Sequence, residues 1–308
     1  MPSGVPLFYM KIILFLTFAS IAAAQAIEPG NLPTSWMTGG PNCLEVPGWQ
    51  VHEYNPTFYI LRQSGCTHYE KPFLYLIFGK DRALLVDTGA GASDAATFVQ
   101  SLIGKWLESQ KRSEISLVVT HSHGHGDHTA GDKGFEGMPK VTLVPAAVEA
   151  EQKMFGIAKW PEQAGSIDLG DRVVDVLAIP GHQPAHLAYY DRRTGIFLTG
   201  DHLYAGRLYV TDFPTYVEST RRMVKFTADK PLTHILGCHI EQSATPYVDY
   251  PVGTKYQPHE HSLELGRAQL LELLEGLEKQ QGTPQKVAYR DFTIFPRAPR
   301  PPSSGAAQ

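Results

Sequence analysis

Neither sign of charge dominates this sequence. It carries 27 Lys and Arg against 31 Asp and Glu, a net of −4 with histidine neutral, spread along the chain. No basic stripe is present to hold a nucleic acid, and no acidic tail to meet a basic partner, so neither partner is expected. Membrane-length apolar runs are missing too. The most apolar stretch, Ile12 to Ala24, falls short of the roughly 20 residues that a spanning helix needs. Its length, the preceding Lys11 and the small residues Ala22, Ala24 and Ala26 fit a cleaved signal peptide over 1–26, with Met10 as an alternative start. The mature protein is then expected to be exported, to a periplasm or the extracellular space, with no stable membrane association. Cysteine is scarce, limited to Cys43, Cys66 and Cys238. In an oxidising compartment Cys43 and Cys66 are the expected disulfide pair, because both precede the histidine-rich motif described below. Cys238 is expected as a small buried residue. No internal repeat is present.

What remains alternates β-rich runs with helical patterns. The Pro-, Gly- and Asn-containing segment 27–48 reads as an irregular approach to a domain over 49–296, and the Pro/Ser/Gly-rich tail 297–308 reads as disordered. Strand runs are expected over Trp49–Arg62, Lys71–Phe78 and Arg82–Val86, the last two closing a hairpin across Gly79-Lys80-Asp81. Ser93 is expected to cap a helix carrying Phe98, Leu102 and Trp106. Later strands are expected over Ile115–Val119, Val141–Val144, Val173–Ile179, Leu187–Tyr190, Ile196–Leu198, Leu232–Leu236 and Lys286–Phe295. Helices are expected from Pro145 to about Gly156, from a Thr215/Glu218 capping box to about Phe226, and over Leu263–Leu277. Ala205–Val217 reads as a loop. The alternation predicts an α/β domain of layered sheets with helices outside.

The chemistry gathers at strand ends. His123, His125, Asp127 and His128 spell H-x-H-x-D-H just after an apolar run. Three imidazoles and a carboxylate at that spacing suit zinc or a similar divalent ion. His182, Asp201 and His239 each follow a later predicted strand, as does Asp87. Strand-end loops of one layered sheet open on a common edge, so these residues can meet. His121 also begins an H-x-H, but only the register starting at His123 supplies three histidines and an aspartate, so His121 is expected to be a neighbour and not a ligand.

H-x-H-x-D-H at 123–128, P-G-H at 180–182, T-G-D at 199–201 and the late His239, in that order, resemble the metallo-β-lactamase superfamily. The resemblance implies an αββα four-layer sandwich with a metal site at one edge of two packed sheets. It implies that His123, His125 and His182 bind one zinc, that Asp127, His128 and His239 bind a second, and that Asp201 bridges them, with iron or manganese as alternatives. Asp87 is expected to fix the tautomer of a ligating imidazole.

The implied activity is hydrolysis of an ester, thioester, lactone or amide-type bond in a small molecule, by a hydroxide bridging two divalent metals and oriented by Asp127. Asp201 in its T-G-D setting resembles the hydroxyacylglutathione hydrolases and lactone hydrolases more than true β-lactamases, which usually carry Cys or Ser there. Tyr204 and Tyr209 are expected to offer a hydrogen bond to a substrate carbonyl. The alternatives on the same fold are a β-lactamase, a phosphodiesterase or a sulfur dioxygenase-like oxidoreductase with one iron.

Overall fold

The computed structural model describes Met1, Gly4 and residues 26–40, 42–43, 46–280 and 283–297. Nearly all of the expected signal peptide, and the tail from 298, lie outside the described residues.

The first half builds one six-stranded sheet. Strands β1 (Trp49–Asn55), β2 (Phe58–Gln63), β3 (Phe73–Phe78) and β4 (Arg82–Val86) form an antiparallel meander. Helix α1 (Ala95–Ser109) then crosses over to β5 (Ser116–Thr120), which runs parallel to β4. A one-turn helix α2 (Gly126–Thr129) leads to β6 (Val141–Leu143), also parallel, and α3 (Val148–Phe155) follows. The second half builds the other sheet from β7 (Gly165–Asp168), β8 (Val173–Ala178), β9 (Leu187–Asp191) and β10 (Ile196–Gly200). After β11 (Arg207–Val210) and α4 (Phe213–Thr227), strand β12 (His234–Gly237) joins it parallel to β10, with β13 (Glu264–Leu265) on its edge. Helix α5 (Arg267–Lys279), β14 (Val287–Ala288) and β15 (Thr293–Pro296) complete the chain, and β11, β15 and β14 make a small third sheet.

Side-chain alternation explains the layers. In β3 every residue is buried, because one face looks at the partner sheet and the other at a helix. Tyr75 and Ile77 point inward with Ile60, Leu84 and Val118, to meet Val174, Val176, Tyr189 and Leu198 of the second sheet. Leu74, Leu76 and Leu85 point outward, under Val99, Ile103 and Trp106 of α1. On the other side Leu177, Tyr190, Phe197 and Ile235 are covered by Tyr216 and Met223 of α4 and by Leu270, Leu273 and Leu277 of α5. The result is helix, sheet, sheet, helix: the αββα sandwich.

Strand direction then separates two edges. β4 and β5 are parallel, and β8, β10 and β12 share one direction because β9 is antiparallel to both β8 and β10. Their carboxyl ends therefore open together. At the opposite edge Arg172, fully buried, bonds both oxygens of Asp191 (Nε to Oδ1 2.9 Å, Nη2 to Oδ2 2.5 Å). Its Nη1 donates to the carbonyls of Thr57 and Phe78, at 2.9 Å each, which ties the two sheets together.

Several expected boundaries are corrected. Asp94, not Ser93, caps α1 by accepting from the Thr97 amide. Asp212 caps α4 in place of the Thr215/Glu218 box, and the Glu218 carboxylate instead pairs with Arg221. An aspartate accepts well from the free amides of a first turn; Asp94 lies one residue after the expected cap of α1, and Asp212 three residues before that of α4. α3 begins at Val148, past Pro145, and α5 begins at Arg267 because Leu265 is held in a strand against Ile235. The expected loop over Ala205–Val217 contains β11, which pairs with β15; this partner 86 positions away leaves no local signal. The expected Cys43–Cys66 bridge is not formed: the Cys66 thiol donates to the Cys43 carbonyl at 2.9 Å.

Candidate metal centre

Each chemical group is delivered by a strand end. β4 stops at Val86, and Asp87 takes a left-handed backbone, φ 70°, a conformation that aspartate tolerates better than most residues. Beyond β5 the chain bends past His123, is extended at His125 and then closes the single turn of α2, which carries Asp127 and His128. Gly181, at φ 132°, allows β8 to turn into His182, and a Cβ there would sit 2.5 Å from the Cα of Tyr216. Gly200, at φ 53°, does the same before Asp201, where a Cβ would strike His186 Nε2 at 2.5 Å. Both positions therefore demand glycine.

Two groups of potential ligands result, and both are deeply placed. In the first, His125 Nδ1 lies 2.9 Å from His123 Nε2 and 3.1 Å from His182 Nε2. In the second, Asp127 Oδ2 lies 3.1 Å from His128 Nε2 and 3.2 Å from His239 Nε2. Asp201 stands between them. Its Oδ2 faces the first group, 3.8 Å from His123 Nε2 and 3.6 Å from His182 Nε2. Its Oδ1 faces the second, 3.6 Å from His128 Nε2 and 3.2 Å from His239 Nε2.

The surroundings orient these atoms outward from the protein and toward each other. The Nδ1 of His182 meets the Tyr209 carbonyl at 2.7 Å, and that of His239 meets the Glu70 carbonyl at 2.9 Å. His128 Nδ1 faces Asp87 Oδ2 at 2.9 Å, and His123 Nδ1 faces Ser122 Oγ at 3.1 Å. Each contact leaves Nε2 as the free nitrogen. Asp87 is itself held by the Ser122 amide (2.6 Å), the Ser122 hydroxyl (2.9 Å) and the Cys238 thiol (3.2 Å). His121 is committed elsewhere, to the Val144 carbonyl at 3.1 Å and the Asp132 carboxylate at 2.8 Å.

Electrostatics distinguish the two groups. Burial holds His123 and His125 below the usual imidazole value and lowers His182 to about 4, so these rings are neutral lone-pair donors at neutral pH. Burial acts the same way on His128 and His239, but Asp127 and Asp201 outweigh it and raise both. Asp127 feels the converse: burial favours its neutral form, yet His128 and His239 hold it well below the usual carboxylate range.

A divalent cation suits this donor set. A single proton on His125 Nδ1 can bond only one of His123 Nε2 and His182 Nε2, so the other lone pair is left facing it unless a positive charge lies between them. Four ligands about 2.0–2.1 Å from a tetrahedral zinc are about 3.3 Å apart, close to the separations here. Asp201 Oδ1 is also buried with no hydrogen bond among the described residues, a position that costs free energy unless something positive meets it.

The remaining expected site residues sit on the wall of a small cavity, about 60 Å³, above these atoms. The Tyr204 hydroxyl already donates to the Arg207 carbonyl and contacts Glu241 Oε2 at 3.1 Å, which leaves it turned away from a guest. The Tyr209 hydroxyl accepts from Arg207 Nε at 3.2 Å. Glu70 and Arg297 also line the cavity, and nothing in the sequence pattern marked either. Glu70 arrives on the loop between β2 and β3. Arg297 was expected to open the disordered tail but is anchored by its amide on the Val210 carbonyl at 2.8 Å.

Residues 72–275 match the family described as the Metallo-beta-lactamase superfamily. A hydroxyacylglutathione hydrolase of Chelativorans sp. (strain BNC1) is 28% identical over 161 residues, covering 49% of this chain and 60% of that protein. One from Erythrobacter litoralis (strain HTCC2594) is 30% identical over 147 residues, covering 46% and 56%. The chain thus spans little more than half the length of these relatives. Among solved structures, a metallo-beta-lactamase from Pontibacter korlensis superposes with a TM-score of 0.50 at 16% identity, covering 75% of this chain and all of that one. The metallo-beta-lactamase FIM-1 from Pseudomonas aeruginosa, in its mono-zinc form, gives 0.51 at 12% identity, covering 76% and 96%. At such identities the likeness is one of fold.

Proposed function

This chain belongs to the metallo-β-lactamase superfamily, and we propose on that premise that it is a hydrolase holding two divalent metal ions, zinc foremost, that cleaves an ester, thioester or lactone of a small molecule. The observation that carries the reading is the placement of Asp201, with one carboxylate oxygen toward each group of imidazoles. A single-ion site has no use for that arrangement. The names of the relatives, hydroxyacylglutathione hydrolase, favour a thioester among these bonds.

In this reading His123, His125 and His182 hold one ion, Asp127, His128 and His239 the other, and Asp201 both. When bound, such ions acidify water from a pKa of 15.7 toward about 7 and draw charge from a carbonyl oxygen. The protein supplies the rest. Asp127 is kept ionised by His128 and His239, so it accepts a hydrogen bond from the attacking water and orients it toward the carbonyl carbon. Asp87 keeps the His128 tautomer by taking its Nδ1–H, and the Glu70 and Tyr209 carbonyls do the same for His239 and His182. The small cavity admits the scissile group and little solvent around it. The leader over 1–26 supports export of the mature chain, which cell fractionation tests directly.

Metal analysis and a substrate panel test the reading. About two zinc ions per chain are expected, with turnover of lactone, thioester or aryl ester substrates. One iron per chain with oxygen uptake, or activity confined to phosphodiesters, would overturn it.

A further inference from the structure

The cavity over the ligand atoms, about 60 Å³, is far smaller than the roughly 300 Å³ or more of most small-molecule sites. It accommodates the reacting group, so the bulk of any substrate lies outside it. A larger groove of about 610 Å³ adjoins it; Val210, Phe213, Pro214, Pro284 and Pro296 make its apolar wall, and Thr211, Asp212 and Arg297 its polar part. Arg297 lines both spaces.

Arg297 is unusual among the cations near the site. Arg207 is spent on Glu241, at 3.1 Å, and Asp249, at 3.8 Å. The Arg297 guanidinium instead lies over the ring of Tyr209, 4.2 Å from its centroid, with no carboxylate paired to it among the described residues. Stacking on an aromatic face holds a guanidinium in place while its N–H edge stays free for an anion. Its position is also one-sided. The Tyr209 carbonyl meets His182, and Arg297 acts electrostatically on His125, both of the first group. Glu70 lies at the other end: its backbone carbonyl meets His239, and its carboxyl acts electrostatically on Asp127 and His239 of the second group. An anionic substituent is therefore welcome beside the first group.

We propose that Arg297 anchors a carboxylate on the substrate and that the adjoining groove receives an apolar arm of the same molecule, so the substrates are amphipathic acyl compounds carrying one negative charge. This rests on the hydrolase reading above. The groove walls named here are largely hydrocarbon or proline, and each methylene they bury adds up to about 0.8 kcal/mol, roughly fourfold in affinity.

Two measurements test the proposal on the metal-loaded full chain. In calorimetry octanoate binds more tightly than either octanol or acetate. Arg297→Gln brings octanoate down to the octanol level, a loss of about tenfold, whereas Arg297→Lys keeps part of the gain. Phe213→Ser reduces the advantage of octanoate over acetate. In kinetics, Arg297→Gln raises KM for monophenyl adipate about tenfold, several times more than it raises KM for neutral phenyl butanoate. Equal octanoate affinity in the wild type and Arg297→Gln would overturn the anchor, and equal affinity of the wild type for octanoate and acetate would overturn the groove. A wild-type protein that hydrolyses neither ester nor thioester defeats the hydrolase reading itself, whatever Arg297→Gln does.

Discussion

The two edges of the sandwich bury charge in opposite ways. At one, Asp191 meets Arg172, and the guanidinium also satisfies carbonyls from the first sheet. That edge is complete within the chain. At the other, Asp127 and Asp201 face imidazoles, and the positive charge they call for comes from protons on His128 and His239 or from an ion out of solution. A counter-charge that is part of the chain makes a structural clamp. One that must be recruited makes a site.

The largest effect is expected at the closed edge. Arg172→Leu leaves a buried carboxylate unpaired and lowers stability by about 3–5 kcal/mol, measured by urea unfolding, with metal content per folded chain unchanged. A parallel fall in metal content would show that the two edges are not separable. At the open edge Asp201→Ala removes the group shared by both half-sites. Partners that merely support a ligand are worth 10–100-fold, so the expected loss of activity exceeds about 100-fold and at least one ion per chain is lost. Asp87→Asn weights the two halves unequally: metal affinity in competition with a chelator falls about 10–100-fold for the ion held by His128, which Asp87 touches directly, and by less for the other, whose His123 it reaches only through Ser122.

A further buried carboxyl extends the comparison, having neither kind of counter-charge among the described residues. Glu151, on α3, is buried with no hydrogen bond to either oxygen among the described residues, and burial pushes its pKa up from 4.5 to about 8. The folded state thus keeps a proton that the unfolded chain releases. Its contribution to stability is fully present below pH about 4.5 and is lost as pH rises to about 8, by up to roughly 1.4 kcal/mol per pH unit. In thermal melts across that range Glu151→Gln should flatten the slope and leave activity intact. An unchanged slope would assign the pH dependence to the open edge.

Most of the sandwich was legible locally. Apolar runs such as Phe73–Phe78 read as strands because both faces are covered, and the strand-end positions of His123, His182, Asp201 and His239 follow from those runs. Pairings that depend on distant partners were not legible. β11 is a strand because β15 lies beside it, Leu265 is held by Ile235, and the cap at Asp212 depends on where α4 can start.

The sequence by itself determined the kinds of ligand, their order and their arrival at strand ends, because those depend on side-chain chemistry and on period-two burial. Tertiary structure decided how they are divided. Which nitrogen of each imidazole is free depends on backbone carbonyls of Tyr209 and Glu70 and on the carboxylate of Asp87. A carbonyl has no signature in sequence, since every residue carries one. The same holds for Arg297: as a letter it opened a proline-rich tail, and only the pairing of β15 with β11 brings it over Tyr209.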